Sequence, residues 1–354
     1  MSERLRIGIV APLWAAVPPI TYGGIERHLD LLVNELVRRG HDVTLFASGD
    51  SRTAAKLVAV VDRGVAEAMD AGDASFYEHY LNASLAASLA ASDGFDVLHW
   101  HVGCAAIPLA ASARCPVLHS VHTGITRDDL WMLERSPDAR LTALSNRQLE
   151  DVPSAQRGRI RVVPYGFDFA TCDASEGEPE HLAFLGRMAP HKGPDAAIRI
   201  ARAAGLPISL AGGPVTVEDR DWFARMVEPE IDGREVVWLG AVDDAGKDAL
   251  FARAAAFVFP IDWEEPFGLV MLEALARGIP VLATRRGSVP EVVDPGVTGF
   301  IEDAADDLAG HVASAAALDR GEVRERASQR FSVAAMTDAY EAAYSEGMAA
   351  ATPK

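Results

Sequence analysis

Cysteine is nearly absent from this 354-residue chain. The three present, Cys104, Cys115 and Cys172, form no CxxC arrangement, so they suggest reduced residues rather than a disulfide framework. Positive charge is also scarce: 33 Lys and Arg stand against 51 Asp and Glu, a formal net charge of −18 at pH 7. Such a chain carries no basic footprint for nucleic acid and opposes adsorption to an anionic membrane. No uninterrupted apolar run reaches the length of about 18 residues that marks a membrane-spanning helix. The stretch Ile7 to Val17 follows Arg4 and Arg6 as a signal peptide would. Gly8 and Pro12 interrupt it, however, and no clear small-residue cleavage site precedes the polar continuation, so it serves better as a first buried strand. The expectation is a soluble, cytoplasmic protein with no nucleic-acid partner and no stable membrane association. The turn after that strand also lacks GxGxxG, which argues against a dinucleotide-dependent oxidoreductase.

What the chain has is length and apolar patterning. At 354 residues it exceeds the size at which one hydrophobic core stops growing, and its 49% hydrophobic content can supply two. Short apolar runs alternate with helix-length segments, the pattern of parallel sheets wound with helices. In the first half, strands are expected near 6–11, 42–47, 57–61, 97–100, 116–120, 140–144 and 161–164. Helices are expected at 25–38 and 77–91. In the former, Ile25, Leu29, Leu32, Val33, Leu36 and Val37 form one stripe and Gly40 stops the helix. The pattern lapses into an acidic, Gly- and Pro-containing stretch before His181, then restarts with strands near 181–185, 208–211, 236–239, 256–259, 281–283 and 299–302. This gives a first domain over 1–168, a linker over 169–180 and a second domain over 181–332. A last helix covers about 333–350.

The most informative segment runs from Pro260 to Leu275 and places Glu265 in a loop and Glu273 within an apolar helix, expected over 268–277. Glu273 would then lie about one and a half turns in, roughly 8 Å along the axis from the helix mouth. The backbone N–H groups of Phe267, Gly268 and Leu269 form that mouth, where phosphate is favoured. Carboxylates accept well from sugar hydroxyls, so two of them around an anion pocket suit a nucleotide sugar. Glu273 also stands among Leu269, Val270, Leu272 and Leu275, and a buried carboxylate needs a partner. The alternative is two solvated glutamates near a helix start.

Glu265 and Glu273, with seven residues between them including Phe-Gly-Leu, resemble the signature of the retaining glycosyltransferases of family 4. Glu264 would leave eight intervening residues. The resemblance extends to Gly186-Arg187 and Lys192-Gly193, at a strand end and a helix start, and to Gly23-Gly24-Ile25-Glu26 after an unusually long loop. It implies that Arg187 and Lys192 stabilise the departing diphosphate in place of Mg²⁺, that Glu265 orients sugar hydroxyls and that Glu273 binds the ribose. Gly24, Gly186, Phe267, Gly268, Leu269 and Val242 fall on the donor side. His122, in Val-His-Thr-Gly, matches the histidine at the donor sugar, and Glu26 and His101 are acceptor-side candidates. Asp168 keeps its place in Pro164-Tyr165-Gly166-Phe167-Asp168, but Tyr165 stands where the family usually has Asn, which puts the role of that Asn in doubt.

Some residues keep two readings. His99 and His101 share one face of a strand, as metal ligands or as a hydrogen-bonded structural pair, and no third ligand has recognisable spacing. Ser145-Asn146 at a strand end reads equally as a helix cap. The turns at Gly212-Gly213-Pro214 and Gly240-Ala241-Val242 are expected near the base without disclosing which base it is. The fold the resemblance implies is GT-B: two Rossmann-like, doubly wound parallel-sheet domains facing an interdomain cleft, the first for the acceptor and the second for the nucleotide sugar. In that fold the final helix returns to the first domain, with Phe331, Met336, Tyr340 and Tyr344 available for the contact. The expected activity is metal-independent, cofactor-free transfer of a hexosyl-type group to an acceptor hydroxyl by front-face attack, with homodimerisation left open. A nucleotide-sugar 2-epimerase on the same fold and a non-enzymatic two-lobed binding protein are the rivals.

Overall fold

Two all-parallel sheets organise the computed structural model, which describes residues 4–20, 23–175 and 177–351. The chain separates into a first unit of Met1–Gly166 with Val333–Lys354 and a second of Phe167–Ser332.

The first unit holds strands β1 (Arg6–Val10), β2 (Asp42–Ala47), β3 (Lys56–Ala59), β4 (Val97–Trp100), β5 (Val117–Ser120), β6 (Arg140–Ala143) and β7 (Ile160–Val162). They are ordered β3-β2-β1-β4-β5-β6-β7, so winding reverses between β1 and β4. Such strands read as continuous apolar runs because helices cover both faces, and in β1 every residue after Arg6 is buried. Helix α1 (Gly24–Arg38) buries Leu29, Leu32, Val33 and Leu36 in this core. The last helix, Val333–Ala351, adds Met336, Tyr340, Ala343 and Tyr344 to the same cluster. Phe331, expected alongside them, instead ends the preceding helix in the second unit, its ring 5.8 Å from that of Phe267.

The second unit holds β8 (His181–Leu185), β9 (Ile208–Ala211), β10 (Val236–Trp238), β11 (Ala254–Phe259), β12 (Val281–Thr284) and β13 (Gly299–Glu302), ordered β10-β9-β8-β11-β12-β13. Its reversal lies between β8 and β11. Helices that matter below are α2 (Pro194–Ala204), α3 (Val217–Met226), α4 (Asp244–Phe251) and α5 (Leu269–Leu275). Residues 169–180, whose composition suggests a linker, are tied into this unit. Ser175 N–H donates to the Arg277 carbonyl and Glu180 N–H to that of Arg253, each at 2.9 Å, and Cys172 is buried. A polar composition reports little about where backbone donors find acceptors.

Tyr340 is fully buried in the first unit's core. Tyr340→Ala should cost about 3–5 kcal/mol of stability, as other large aromatic truncations do. Urea unfolding checks this, and a loss below about 1 kcal/mol would deny that the last helix is docked there.

Candidate active site

Both sheets release their chains at the carboxyl ends of the strands, and open α/β sheets bind ligands there at the winding reversal. In the second unit the two reversal strands lead into Gly186–Lys192 and Asp262–Gly268. The Asp262 N–H donates to the His191 carbonyl at 2.9 Å, which ties the two loops together. Lys192 Nζ donates to Glu265 Oε2 at 2.6 Å and lies 4.4 Å from the centre of the Trp263 ring. Gly193, the helix-opening glycine, has φ +72°, and a Cβ there would stand 2.4 Å from the Pro260 carbonyl oxygen. No other residue fits so close an approach. Gly287 plays a matching part from the other side: a Cβ would meet the Glu265 backbone at 2.3 Å, while Ser288 N–H donates to the Glu265 carbonyl.

Arg187 Nε donates to Asp219 Oδ2 at 2.5 Å. Asp219, the third residue of α3, closes a capping box with the N-cap Thr216 and accepts from the Val215 and Thr216 N–H groups. Burial alone would raise its pKa, but the Arg187 hydrogen bond and the backbone donors bring it down to about 2. Each cation is therefore fixed by a carboxylate that spends only part of its donor capacity. An ammonium has three N–H donors and a guanidinium five.

Glu273 is buried in α5, where Oε1 accepts from Lys247 Nζ at 2.8 Å. Its other oxygen, Oε2, is buried with no hydrogen-bond partner among the described residues. Helix α5 itself spans Leu269–Leu275, starting one residue later and ending two residues earlier than the sequence suggests, with Gly268 as its N-cap. So short a helix adds little dipole, and the fixed side-chain cations dominate the local potential. Gly186 donates its N–H to Ala211, and Val242 lies half-buried in the turn before α4.

In the first unit Gly24 opens α1 and Glu26 is buried in its first turn, where burial raises its pKa. The histidines condense into one network. His101 Nδ1 lies 2.8 Å from His122 Nε2, and His122 Nδ1 lies 2.7 Å from the Tyr165 hydroxyl. His99 reaches Ser120 Oγ and the Tyr344 hydroxyl at 2.7 and 2.8 Å. Burial drives the pKa of His122 down to about 3 and lowers those of His28, His99 and His101 well below the ordinary value. All four are neutral at pH 7. Ring nitrogens of His28, His101 and His122 fall within 4.8 Å of one another. Two ligands of a tetrahedral zinc ion would stand about 3.3 Å apart, whereas the His101–His122 separation is that of an N–H···N hydrogen bond.

Comparison with known proteins decides the class. Residues 22–171 match the model described as Glycosyltransferase Family 4, and residues 173–331 match that for Glycosyl transferases group 1. The chain is 28% identical to a glycogen synthase of Mycobacterium tuberculosis, over 84% of this chain and 82% of that protein. It is 28% identical to a D-inositol 3-phosphate glycosyltransferase of Mycolicibacterium smegmatis, over 92% and 87%. The crystal structure of AviGT4, a glycosyltransferase involved in Avilamycin A biosynthesis, superposes with a TM-score of 0.69 at 26% identity, covering 99% of this chain and all of that one. The chain belongs to the GT-B glycosyltransferases.

Sequence reasoning about this glycosyltransferase missed Lys247, Trp263, Asp219 and His28. Lys247 had a signal, since the apolar run around Glu273 called for a partner without naming it. His28 stands on the buried stripe of α1, one turn before Leu32. Nothing local marks Asp219 or Trp263, which matter only through partners distant in sequence.

The Lys247–Glu273 pair is nearly buried at both ends. Lys247→Met should therefore destabilise the protein by about 3 kcal/mol through the stranded carboxylate, and adding Glu273→Leu should recover most of the loss. Chemical denaturation of the two variants tests this; equal stability of Lys247→Met and wild type would contradict a buried pair.

Proposed function

We propose that this glycosyltransferase moves a hexosyl-type group from a nucleoside diphosphate sugar to an acceptor hydroxyl, with retention of configuration and without a metal ion. The observation that carries the reading is Glu273 Oε2, a buried oxygen with no partner among the described residues, on a carboxylate already paired with Lys247 through Oε1. Such an oxygen accepts strongly from a vicinal diol, and a ribose supplies one.

The rest of the second unit fits the remaining parts of that donor. Arg187 and Lys192, held by Asp219 and Glu265, keep donors for a diphosphate and supply the charge a divalent ion otherwise would. Because leaving-group charge grows toward the transition state, preset cations lower the barrier more than they tighten donor binding. Glu265 orients the sugar hydroxyls from its lysine-anchored position. Glu26 and His101 lie on the acceptor side in the first unit, and the turn carrying His122 abuts the transferred sugar. The carboxylates are committed to hydroxyls or cations, so none is left to act from the face opposite the leaving group. The acceptor attacks from the face the diphosphate leaves, and the departing phosphate oxygen takes its proton.

Two experiments test this. Glu273→Ala should weaken binding of a free nucleoside diphosphate at least about tenfold while Glu265→Ala changes it little and instead lowers turnover of the sugar donor. Calorimetric titration showing normal nucleotide binding by both variants would remove Glu273 from the ribose. An NMR time course of the first-formed glycoside, run in EDTA, should show an α-linked donor giving an α-linked product at an undiminished rate. A β-linked product would overturn retention, and a rate abolished by EDTA and restored by Mg²⁺ would overturn the metal-free electrostatics.

A further inference from the structure

Both ring nitrogens of His122 are engaged inside the protein, one by His101 and one by Tyr165. The ring therefore cannot contact a substrate without giving up a partner, and its influence on the sugar runs through the turn that bears it. How the ring is held follows from hydrogen-bond arithmetic. His99 Nδ1 faces two groups, the Tyr344 hydroxyl at 2.8 Å and His101 Nε2 at 3.2 Å. A bare ring nitrogen offers one in-plane lone pair and receives two hydrogens poorly, whereas one N–H is readily shared between two acceptors. His99 thus carries its proton on Nδ1, and its Nε2 accepts from Ser120 Oγ at 2.7 Å.

The remaining tautomers are then determined. His101 Nε2 accepts, so its single proton stands on Nδ1 and goes to His122 Nε2. His122 in turn is protonated on Nδ1 and donates to the Tyr165 oxygen. His99, His101 and His122 are all neutral, as their burial requires. A second proton on His101 or His122 would set N–H against N–H.

We propose that Tyr165 is a positioning residue for glycosyl transfer: its hydroxyl oxygen accepts the His122 Nδ1–H and, with His101 donating to the opposite nitrogen, locks that ring and the turn Val121–Gly124 in one orientation. This rests on the reading that the turn abuts the transferred sugar. Tyr165 stands where the resemblance to family 4 places Asn, and its longer side chain both spans the distance to His122 and packs on His28, with ring centres 4.6 Å apart. The last link of the chain is thus made by the residue at which this sequence departs from the family pattern.

The test uses the full-length protein with ¹⁵N-labelled histidine. In the wild type, long-range ¹H–¹⁵N spectra should show His122 as the Nδ1–H tautomer. Tyr165→Phe keeps the ring but removes the acceptor, so His122 should stay Nδ1–H with its proton unpartnered and shifted in the spectrum, and kcat should fall about tenfold, with KM for the donor changing less than about twofold. His101→Asn retains an N–H near the position of Nδ1 and should keep more of kcat than His101→Ala. An Nε2–H wild-type tautomer, or wild-type kcat in Tyr165→Phe, overturns the proposal. His122→Ala separates the two levels. If its kcat is unchanged, the turn does not abut the sugar and both readings fall; if it is impaired while Tyr165→Phe is normal, only the positioning role falls.

Discussion

In a parallel sheet every strand must release its chain at the same edge, and the loops that follow neighbouring strands are forced together there. Most of what is chemically unusual in this protein lies at such edges. The loops after β8 and β11 come from segments more than 70 residues apart, yet they meet in the Lys192–Glu265 contact because their strands adjoin at the winding reversal. Gly193 and Gly287 are consequences of the same crowding, since two backbones pass where a side chain would not fit. The first sheet repeats the logic with uncharged groups: His101 follows β4, His122 follows β5, and Tyr165 follows β7.

The two edges handle polarity in different ways. The second unit keeps its charges there and pairs Arg187, Lys192 and Lys247 each with a carboxylate, which orients them at little cost in net charge. A protein with a formal charge of −18 needs such local concentration of positive charge if it is to receive a diphosphate. The first unit instead suppresses charge. Burial keeps His28, His99, His101 and His122 neutral, so what remains to them is the direction of each hydrogen bond.

Much of the fold was legible in the sequence because parallel strands buried on both faces are unbroken apolar runs, and β2, β4, β8, β9 and β13 have the bounds those runs suggest. Element ends were less legible where the determinant is a partner rather than a pattern. Residues 305–316 form a 3-10 segment at Ala305–His311 followed by a helix at Val312–Ala316, and the suggested linker is fastened by Arg277 and Arg253. Within the site, glutamates and cations stood out because glycine and apolar residues flank them. Lys247 and Asp219 did not, because their meaning lies in a carboxylate on α5 and a guanidinium group after β8. The histidines were visible one by one, but their connection through Tyr165, Tyr344 and Ser120 depends on side chains up to 245 residues apart.

The last helix, Val333–Ala351, completes a core begun by β1 at the other end of the chain. During synthesis the ribosome delivers the whole second unit before it delivers Met336, Tyr340 and Tyr344. The first unit must therefore wait with part of its apolar surface uncovered and with His99 lacking its tyrosine partner, while the second, whose sequence is continuous, can finish without it. The half that emerges first is the half that matures last.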